Sequence, residues 1–329
     1  MKRRRILLAG AAGALVSAAG ALAQRPARNY RIGVLLVTNR AITESSGNLP
    51  PFTQALREYG YVEGRNLFIE WRGAEGNVER LPALAAELVA LKVELIVAGA
   101  ESAAVAAKNA TKTIPIVAVA VANPVGLGLA ESLSRPGGNL TGFSNFNDTL
   151  VAKRLELLRE IYPAISRVAV LHQPGDSASA QQLAAVLATA PAMKLKITVH
   201  GLKASTDIEG TLRTIEQERP QGMMVFSSPL TFIHLKRISE FAAAQRLPAV
   251  YGLANYVEAG GLMSYGFSYP DNYRRTAEYV DRILKGAKPG DLPIQQPVTF
   301  DLTINLKTAK ELGATIPHSL LVRADRVIE

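Results

Sequence analysis

The chain has 329 residues, a length that suits two domains, and its 48% hydrophobic and 20% charged residues exclude a disordered chain. It contains no cysteine, which excludes a disulfide scaffold, thiolate zinc and iron–sulfur sites, a thiol nucleophile and a cysteine-linked lipid anchor. Of the net charge of +9, four units sit on Lys2, Arg3, Arg4 and Arg5; the 306 residues after position 23 carry +5, with no basic cluster and few aromatics, so nucleic acid is not an expected partner.

Those four basic residues precede an apolar run over residues 6–23 that ends in Ala21-Leu22-Ala23. Basic start, apolar middle and small residues at the cut form the pattern of a secretory signal, with cleavage expected near Ala23. The run is rich in Gly and Ala and short for a span, so no stable membrane insertion is expected after cleavage. The mature chain is expected in the periplasm. The arginine pairs lack the rest of a twin-arginine motif.

Residues 31–37 (RIGVLLV) form an apolar run suited to a strand buried on both faces. A helix over 50–59 follows, then a strand at 67–71. Leu81, Leu84, Ala85, Leu88 and Leu91 recur at helical spacing. Strands are predicted at 94–98 and 116–120, with a helix at 102–110 between them. A helix-like stretch over 126–134 and a strand at 141–144 close this half. A second cycle starts with the helix face Val151, Leu155, Leu158 and Ile161. Strands at 167–171, 195–200, 222–226, 249–251 and 262–265 alternate with helices at 179–189, 208–217 and 232–245. Tyr273, Ala277, Val280 and Leu284 share one face of a late helix. A strand at 299–305 and a helix at 306–312 end the pattern. This alternation predicts an α/β protein of two lobes, with parallel sheets flanked by helices. Ligands of such sheets bind beyond the carboxyl ends of the strands, so two lobes facing by those ends would enclose a cleft.

Motifs for chemistry fail on inspection. Gly126-Leu-Gly128 opens like a dinucleotide fingerprint, but Glu131 stands at the third glycine position and Pro124 precedes it; it reads as a helix start. Gly142-Phe-Ser144-Asn-Phe146 lacks the second glycine of a nucleophile elbow, which makes an α/β hydrolase the lesser alternative. His172, His200, His234 and His318 have no metal-ligand spacing, so no metal and no cofactor are expected. His172 ends a strand and is the one histidine placed to face a cleft.

Several stretches together resemble a known family: Gly60-Tyr-Val-Glu-Gly-Arg-Asn66, residues 80–88 (RLPALAAEL), Asn123-Pro-Val-Gly-Leu-Gly128, residues 135–142 (RPGGNLTG), residues 258–266 (EAGGLMSYG), residues 283–288 (ILKGAK) and residues 304–309 (INLKTA). The chain resembles, from about Tyr30 to its end, the ABC-transporter substrate-binding proteins that include tryptophan- and phenylalanine-binding members. The resemblance implies a type I periplasmic-binding fold of two Rossmann-like lobes. One lobe would comprise 30–143 and 267–293, the other 144–266 and 294–329, with hinges near 141–145, 265–267 and Pro293. It implies a monomeric exported protein that is not an enzyme. Its partners would be a small-molecule ligand, amino-acid-like or aromatic and nitrogenous, and an ABC permease with its ATPase, engaged through cleft closure. A sensory protein that presents ligand to a membrane receptor is the alternative.

Strand-end loops supply the candidate ligand contacts. In the first lobe these are Thr38, Asn39, Arg40, Ala100, Glu101, Ser102 and Asn123. In the second they are His172, Gln173, Ser227, Ser228, Tyr251 and Asn255, with Ser144, Asn145 and Phe146 near the hinge. Ser102 has a second reading as a helix cap. Phe52, Phe146, Phe232, Tyr251 and Tyr256 are aromatics that pack on either a ligand or the core. Family members commonly carry Thr-Pro where Ala100-Glu101 stands, and often an acid where Asn123 stands. A carboxylate at Glu101 facing the cleft would repel a ligand carboxylate and suit a positive or hydrogen-bond-donating group.

Overall fold

The computed structural model describes residues 28–145, 149–297 and 299–329. The expected signal segment and Phe146 lie outside the described residues. The strands are β1 (Tyr30–Leu36), β2 (Leu67–Gly73), β3 (Ile96–Ala98), β4 (Ile116–Val121), β5 (Leu140–Ser144), β6 (Arg167–His172), β7 (Lys196–Gly201), β8 (Gly222–Val225), β9 (Ala249–Tyr251), β10 (Met263–Gly266), β11 (Asp301–Asn305) and β12 (Arg326–Ile328). The helices are α1 (Arg40–Ser45), α2 (Leu49–Glu58), α3 (Leu81–Ala90), α4 (Glu101–Ala110), α5 (Val151–Ile161), α6 (Ser177–Thr189), α7 (Ile208–Glu218), α8 (Pro229–Ile233), α9 (Leu235–Ala244), α10 (Ala254–Glu258), α11 (Tyr269–Leu284), α12 (Leu306–Glu311) and α13 (His318–Arg323).

Two sheets organise the chain. The first is five-stranded and parallel, in the order β2-β1-β3-β4-β5. The second is seven-stranded, in the order β12-β11-β10-β9-β8-β6-β7. Each is buried on both faces, which explains the unbroken apolar runs. Along β1, Ile32, Val34 and Leu36 enter one core, while Leu35, and Val37 just beyond the strand, enter the core on the opposite face. Along β6, Val168 and Val170 enter one core, Ala169 and Leu171 the other. Strand alternation alone sends neighbouring residues to opposite faces.

The chain passes between the lobes three times. It leaves the first sheet after β5 and enters α5, whose Val151, Leu155 and Leu158 join the second lobe's core. It returns after β10 into α11, whose Tyr273, Ala277, Val280 and Leu284 pack in the first lobe's core. It crosses back to β11 after Ile294, which is still buried in the first lobe. Two glycines fit these crossings. Gly142 on β5 has φ +133°, and a Cβ there would lie 2.1 Å from the Ala118 carbonyl oxygen. Gly266 ends β10, where a Cβ would lie 1.9 Å from the Gly252 oxygen. The wholly buried Arg154 braces the second crossing, its Nε donating to the Tyr265 carbonyl at 2.7 Å and its Nη1 to Gln182 Oε1 at 3.2 Å. Burial lowers its pKa to about 10.

The structure corrects several sequence expectations. Residues 126–134 form turns and not a helix. Asn123 Oδ1 accepts from the Gly126 amide at 2.8 Å, and the Pro124 carbonyl accepts from Leu129 at 2.9 Å. Gly128, at φ +66°, then ends the turn, and Leu129 drops into the core. Local side-chain capping and a left-handed glycine here outcompete the helical pattern. The second sheet is not wholly parallel, because β11 pairs antiparallel with β10. β10 runs out toward the crossing and β11 comes back from it, so the two neighbours run oppositely. The helix expected over 232–245 is two helices, α8 and α9, meeting at His234. Helices α1, α10 and α13 and strand β12 had no sequence signal that was read.

Candidate functional site

The carboxyl ends of β1, β3 and β4 face the loops after β6, β8 and β9 across the interlobe space. A cavity of about 100 Å³ lies between them. The first lobe contributes Leu36, Val37 and Thr38 from β1 and its end, Gly99, Ala100, Glu101 and Ser102 around the start of α4, and Thr43, Asn48 and Ala120. The second contributes Asp176 and Ala178 at the start of α6, Ser227, Ser228, Pro229 and Phe232 after β8, and Leu253. Asn145 at the first crossing and Tyr269 and Tyr273 of α11 complete the wall.

Local chemistry positions these groups. Ser228 caps α8, accepting from the Thr231 amide, and the Thr231 hydroxyl donates to the Phe226 carbonyl at 2.7 Å; this sets Phe232 one turn on. Asp176 caps α6 by accepting from the Ser179 amide at 2.8 Å. Ala100, not Ser102, is the N-cap of α4, and Glu101 is its first residue. The Glu101 carboxyl turns back to accept from the Ala122 amide at 2.7 Å, and its other oxygen accepts from the Ser177 hydroxyl of the opposite lobe. Asn255 Nδ2 donates to the Ser46 carbonyl at 2.7 Å, a second bond between lobes.

The electrostatics of the cavity are one-sided. Burial raises the pKa of Glu101, opposed by the Ala122 amide and reinforced by Asp176. Burial also raises that of Asp176, opposed by its bonds to Ser179. The Tyr269 hydroxyl is pushed up by burial and by the neighbouring Asp176 and Glu101. Among the described residues, no Lys, Arg or His lines the cavity. The buried Oδ1 atoms of Asn48 and Asn145 and the Oγ of Ser227 carry no hydrogen bond. Buried polar atoms without partners are costly, and here three meet in one lining, Asn48 from the first lobe, Ser227 from the second and Asn145 at the crossing. No group of three or more metal-ligating side chains occurs among the described residues.

Of the residues singled out from sequence, the fold brings Thr38, Ala100, Glu101, Ser102, Asn145, Ser227, Ser228 and, among the aromatics, Phe232 together at the cavity. Phe146 lies outside the described residues, and the other described candidates lie elsewhere. Asn39 caps α1 and donates to Glu75 at 2.6 Å. Arg40 is exposed, pairs with Glu63 at 3.2 Å and stacks over Trp71. Asn123 serves its turn. Ser144 is buried off the cavity. His172 is buried beside His200, and burial lowers its pKa. Gln173 accepts from the Leu230 amide at 3.1 Å, tying two loops together. Tyr251 is wholly buried and stacked on Tyr256 in the second lobe's core, and Phe52 is buried in the first lobe's core. Asn255 bridges the lobes outside the cavity. The sequence reading missed Asn48, Asp176 and Tyr269. Asp176 had a signal: Gly175-Asp176-Ser177 after a strand reads as a helix N-cap at a strand end.

Two α/β lobes joined by three crossings face each other across the cavity, and the architecture is that of the type I periplasmic binding proteins. Residues 47–328 match the family model described as ABC transporter substrate binding protein, and the chain belongs to that family. It is 27% identical over 261 residues to a tyrosine-binding protein of Clostridioides difficile (strain R20291), covering 79% of this chain and 75% of that one. Among solved structures, an ABC domain in complex with L-Trp from Streptococcus pneumonia superposes with a TM-score of 0.82 at 28% identity, covering 91% of this chain and 100% of that one. The ligand-free, open structure of a substrate binding protein with adhesive properties from Clostridium difficile gives 0.64 at 26% identity, covering 91% and 99%. Among the described residues, no helix is long and apolar enough to cross a membrane.

Proposed function

We propose that this protein captures a small nitrogenous solute with an apolar or aromatic body in the interlobe cavity and delivers it to an ABC permease by closing its lobes. The observation that carries the reading is the cavity, walled from both lobes and lined with buried polar atoms that lack partners. Phe232, Tyr269, Tyr273, Leu36 and Leu253 supply an apolar surface for the body of the solute. Relatives named for tyrosine binding and seen with L-Trp support a ligand of this size. Closure draws support from the two superpositions: at similar identity, the chain fits the L-Trp-bound relative better than the open one.

Closing would work as a population shift. A ligand that touches both walls binds the closed form better than the open form, and the difference in affinity drives the equilibrium. The glycines at Gly142 and Gly266 and the brace at Arg154 set the crossings about which the lobes turn. Both walls come from one chain, which supports action as a monomer. The basic-apolar-small start of the sequence supports export to the periplasm.

The test is a thermal-shift titration of the protein, unfolded and refolded to strip carried ligand, against amino acids, polyamines, aromatic acids and amines, nucleosides and sugars. A saturable rise in Tm, lost in Phe232→Ala, is the expected result, because a ligand that binds only the native state stabilises it by mass action. No saturable shift, together with no small molecule co-purifying in mass spectrometry, would overturn the reading.

A further inference from the structure

The cavity holds two carboxyl groups, Glu101 from the first lobe and Asp176 from the second, close enough to act on each other and on the Tyr269 hydroxyl. Nothing basic among the described lining residues balances them. Glu101 is only 7% exposed and Asp176 is half-buried; taking acids out of water without a counter-charge is expensive, and a bound cation relieves that cost. Two side chains in the same wall, Asn48 and Asn145, are each only 5% exposed and have a carbonyl oxygen without a hydrogen bond. Those oxygens accept hydrogen bonds, as the carboxylates do. Phe232, Tyr269 and Tyr273 offer ring faces, which attract cations as well as apolar bodies.

A zwitterion presents a carboxylate as well as an ammonium. The natural anchor for a carboxylate here is the start of α4, where amides point out and the helix dipole is positive. Glu101 is the first residue of that helix, and its carboxylate accepts from the Ala122 amide nearby. A second carboxylate at that place would meet a negative charge, with no arginine or lysine among the described lining residues to offset it.

We infer that the cavity selects an organic ammonium without a carboxylate, an aryl-alkyl amine, over the corresponding amino acid, with Glu101 and Asp176 closing on the cationic nitrogen from opposite lobes. The inference rests on the solute-binding reading above and names the ligand class of that same site. Glu101 and Asp176 are thereby specificity-determining residues.

The experiment is calorimetric titration of the stripped protein with two matched sets: tyramine, L-tyrosine and 3-(4-hydroxyphenyl)propionate, then tryptamine, L-tryptophan and indole-3-propionate. At least one amine is expected to bind about tenfold or more tighter than its amino acid, and the acids least. Asp176→Asn keeps a good N-cap and Glu101→Gln keeps an acceptor for Ala122, so both variants should fold. Each is expected to weaken amine binding by about tenfold or more, as loss of a buried charge partner does, and to leave circular dichroism unchanged. An amino acid binding as tightly as its amine, or no binding by either amine, overturns the inference and leaves the solute-binding reading standing on its wider panel. Amine binding untouched by Asp176→Asn, Glu101→Gln and Phe232→Ala alike would place the ligand outside the cavity and overturn both.

Discussion

Two hollows lie side by side between the lobes, with Leu253 and Tyr269 lining both; both hold acids, and the larger also holds an arginine. The larger, of about 540 Å³, is lined by Glu258, Asp301, Asp325 and Arg326. It contains a base: Glu258 pairs with Arg326 at 2.6 Å, while Asp325 accepts from the Leu302 amide at 2.7 Å and Asp301 has its pKa raised by burial and by Asp325. The smaller cavity has one buried acid, Glu101, and one half-buried acid, Asp176, no base in its described lining, and three polar atoms without partners. Acidic lining and volume therefore do not identify the site. What sets the smaller cavity apart is the combination of acids without a described base and three unpartnered polar atoms in one lining, since unpartnered buried atoms such as those of Ser144, His172 and Ser179 also occur singly elsewhere.

The largest effect that bears on this contrast is at the crossing both hollows depend on. Gly142→Ala places a Cβ against the Ala118 carbonyl at a φ that side chains avoid. It is expected to destabilise the protein by about 3 kcal/mol or more, read by denaturant unfolding. An unperturbed midpoint would mean that β5 adjusts freely, and that the lobe arrangement around the two hollows is less constrained than the contrast assumes.

Next is Phe232→Ala, which opens the wall of the smaller cavity only. A roughly tenfold to 100-fold loss of ligand affinity is expected by calorimetry, the scale of removing an aromatic anchor. Equal affinity in variant and parent would remove the cavity from consideration.

A smaller effect concerns pH. Groups facing Glu101, which is buried, include the half-buried Asp176 and Tyr269. Glu101 and Asp176 have carboxyl pKa values raised in the native state, so that state binds more protons than the unfolded chain between the ordinary and the raised values. Their ionised forms oppose folding at neutral pH, and that opposition fades as pH falls through the raised values. Glu101→Gln is therefore expected to raise the Tm of the ligand-free protein at pH 7, and the gain should shrink on acidification toward pH 4. A gain independent of pH would show that the buried charge is not its source.

The smallest effect belongs to the larger hollow. Arg326→Gln breaks a half-exposed pair and is expected to cost no more than about 1 kcal/mol, with ligand affinity unchanged. A change in affinity as large as that of Phe232→Ala would erase the distinction between the two hollows.

Much of the architecture was legible in the residues. Unbroken runs such as 31–37 announced strands buried on both faces, and the Tyr273–Leu284 stripe announced a helix with one buried face. Both signals are periodicities that the chain carries locally. The reading failed where a local pattern met a competing local bond, as at Asn123 and Gly128. It failed again where direction depends on a remote event, as in the antiparallel β11. Seven of the strand-end candidate positions converge on the cavity. Arg40, His172 and Tyr251 do not, because strand ends also carry ion pairs, loop ties and core rings.

Sequence alone determined the lobed α/β organisation and the family resemblance, because hydrophobic period and long motifs are properties of the chain in one dimension. Which polar atoms remain unmatched was decided only by the tertiary structure. Glu101 and Asp176 stand 75 positions apart, each at the start of a helix in a different lobe, and neither sits in a motif that points to the other. Their shared burial, and the want of a counter-charge between them, exist only once the lobes face each other, since burial and electrostatic coupling depend on distance in space and not along the chain.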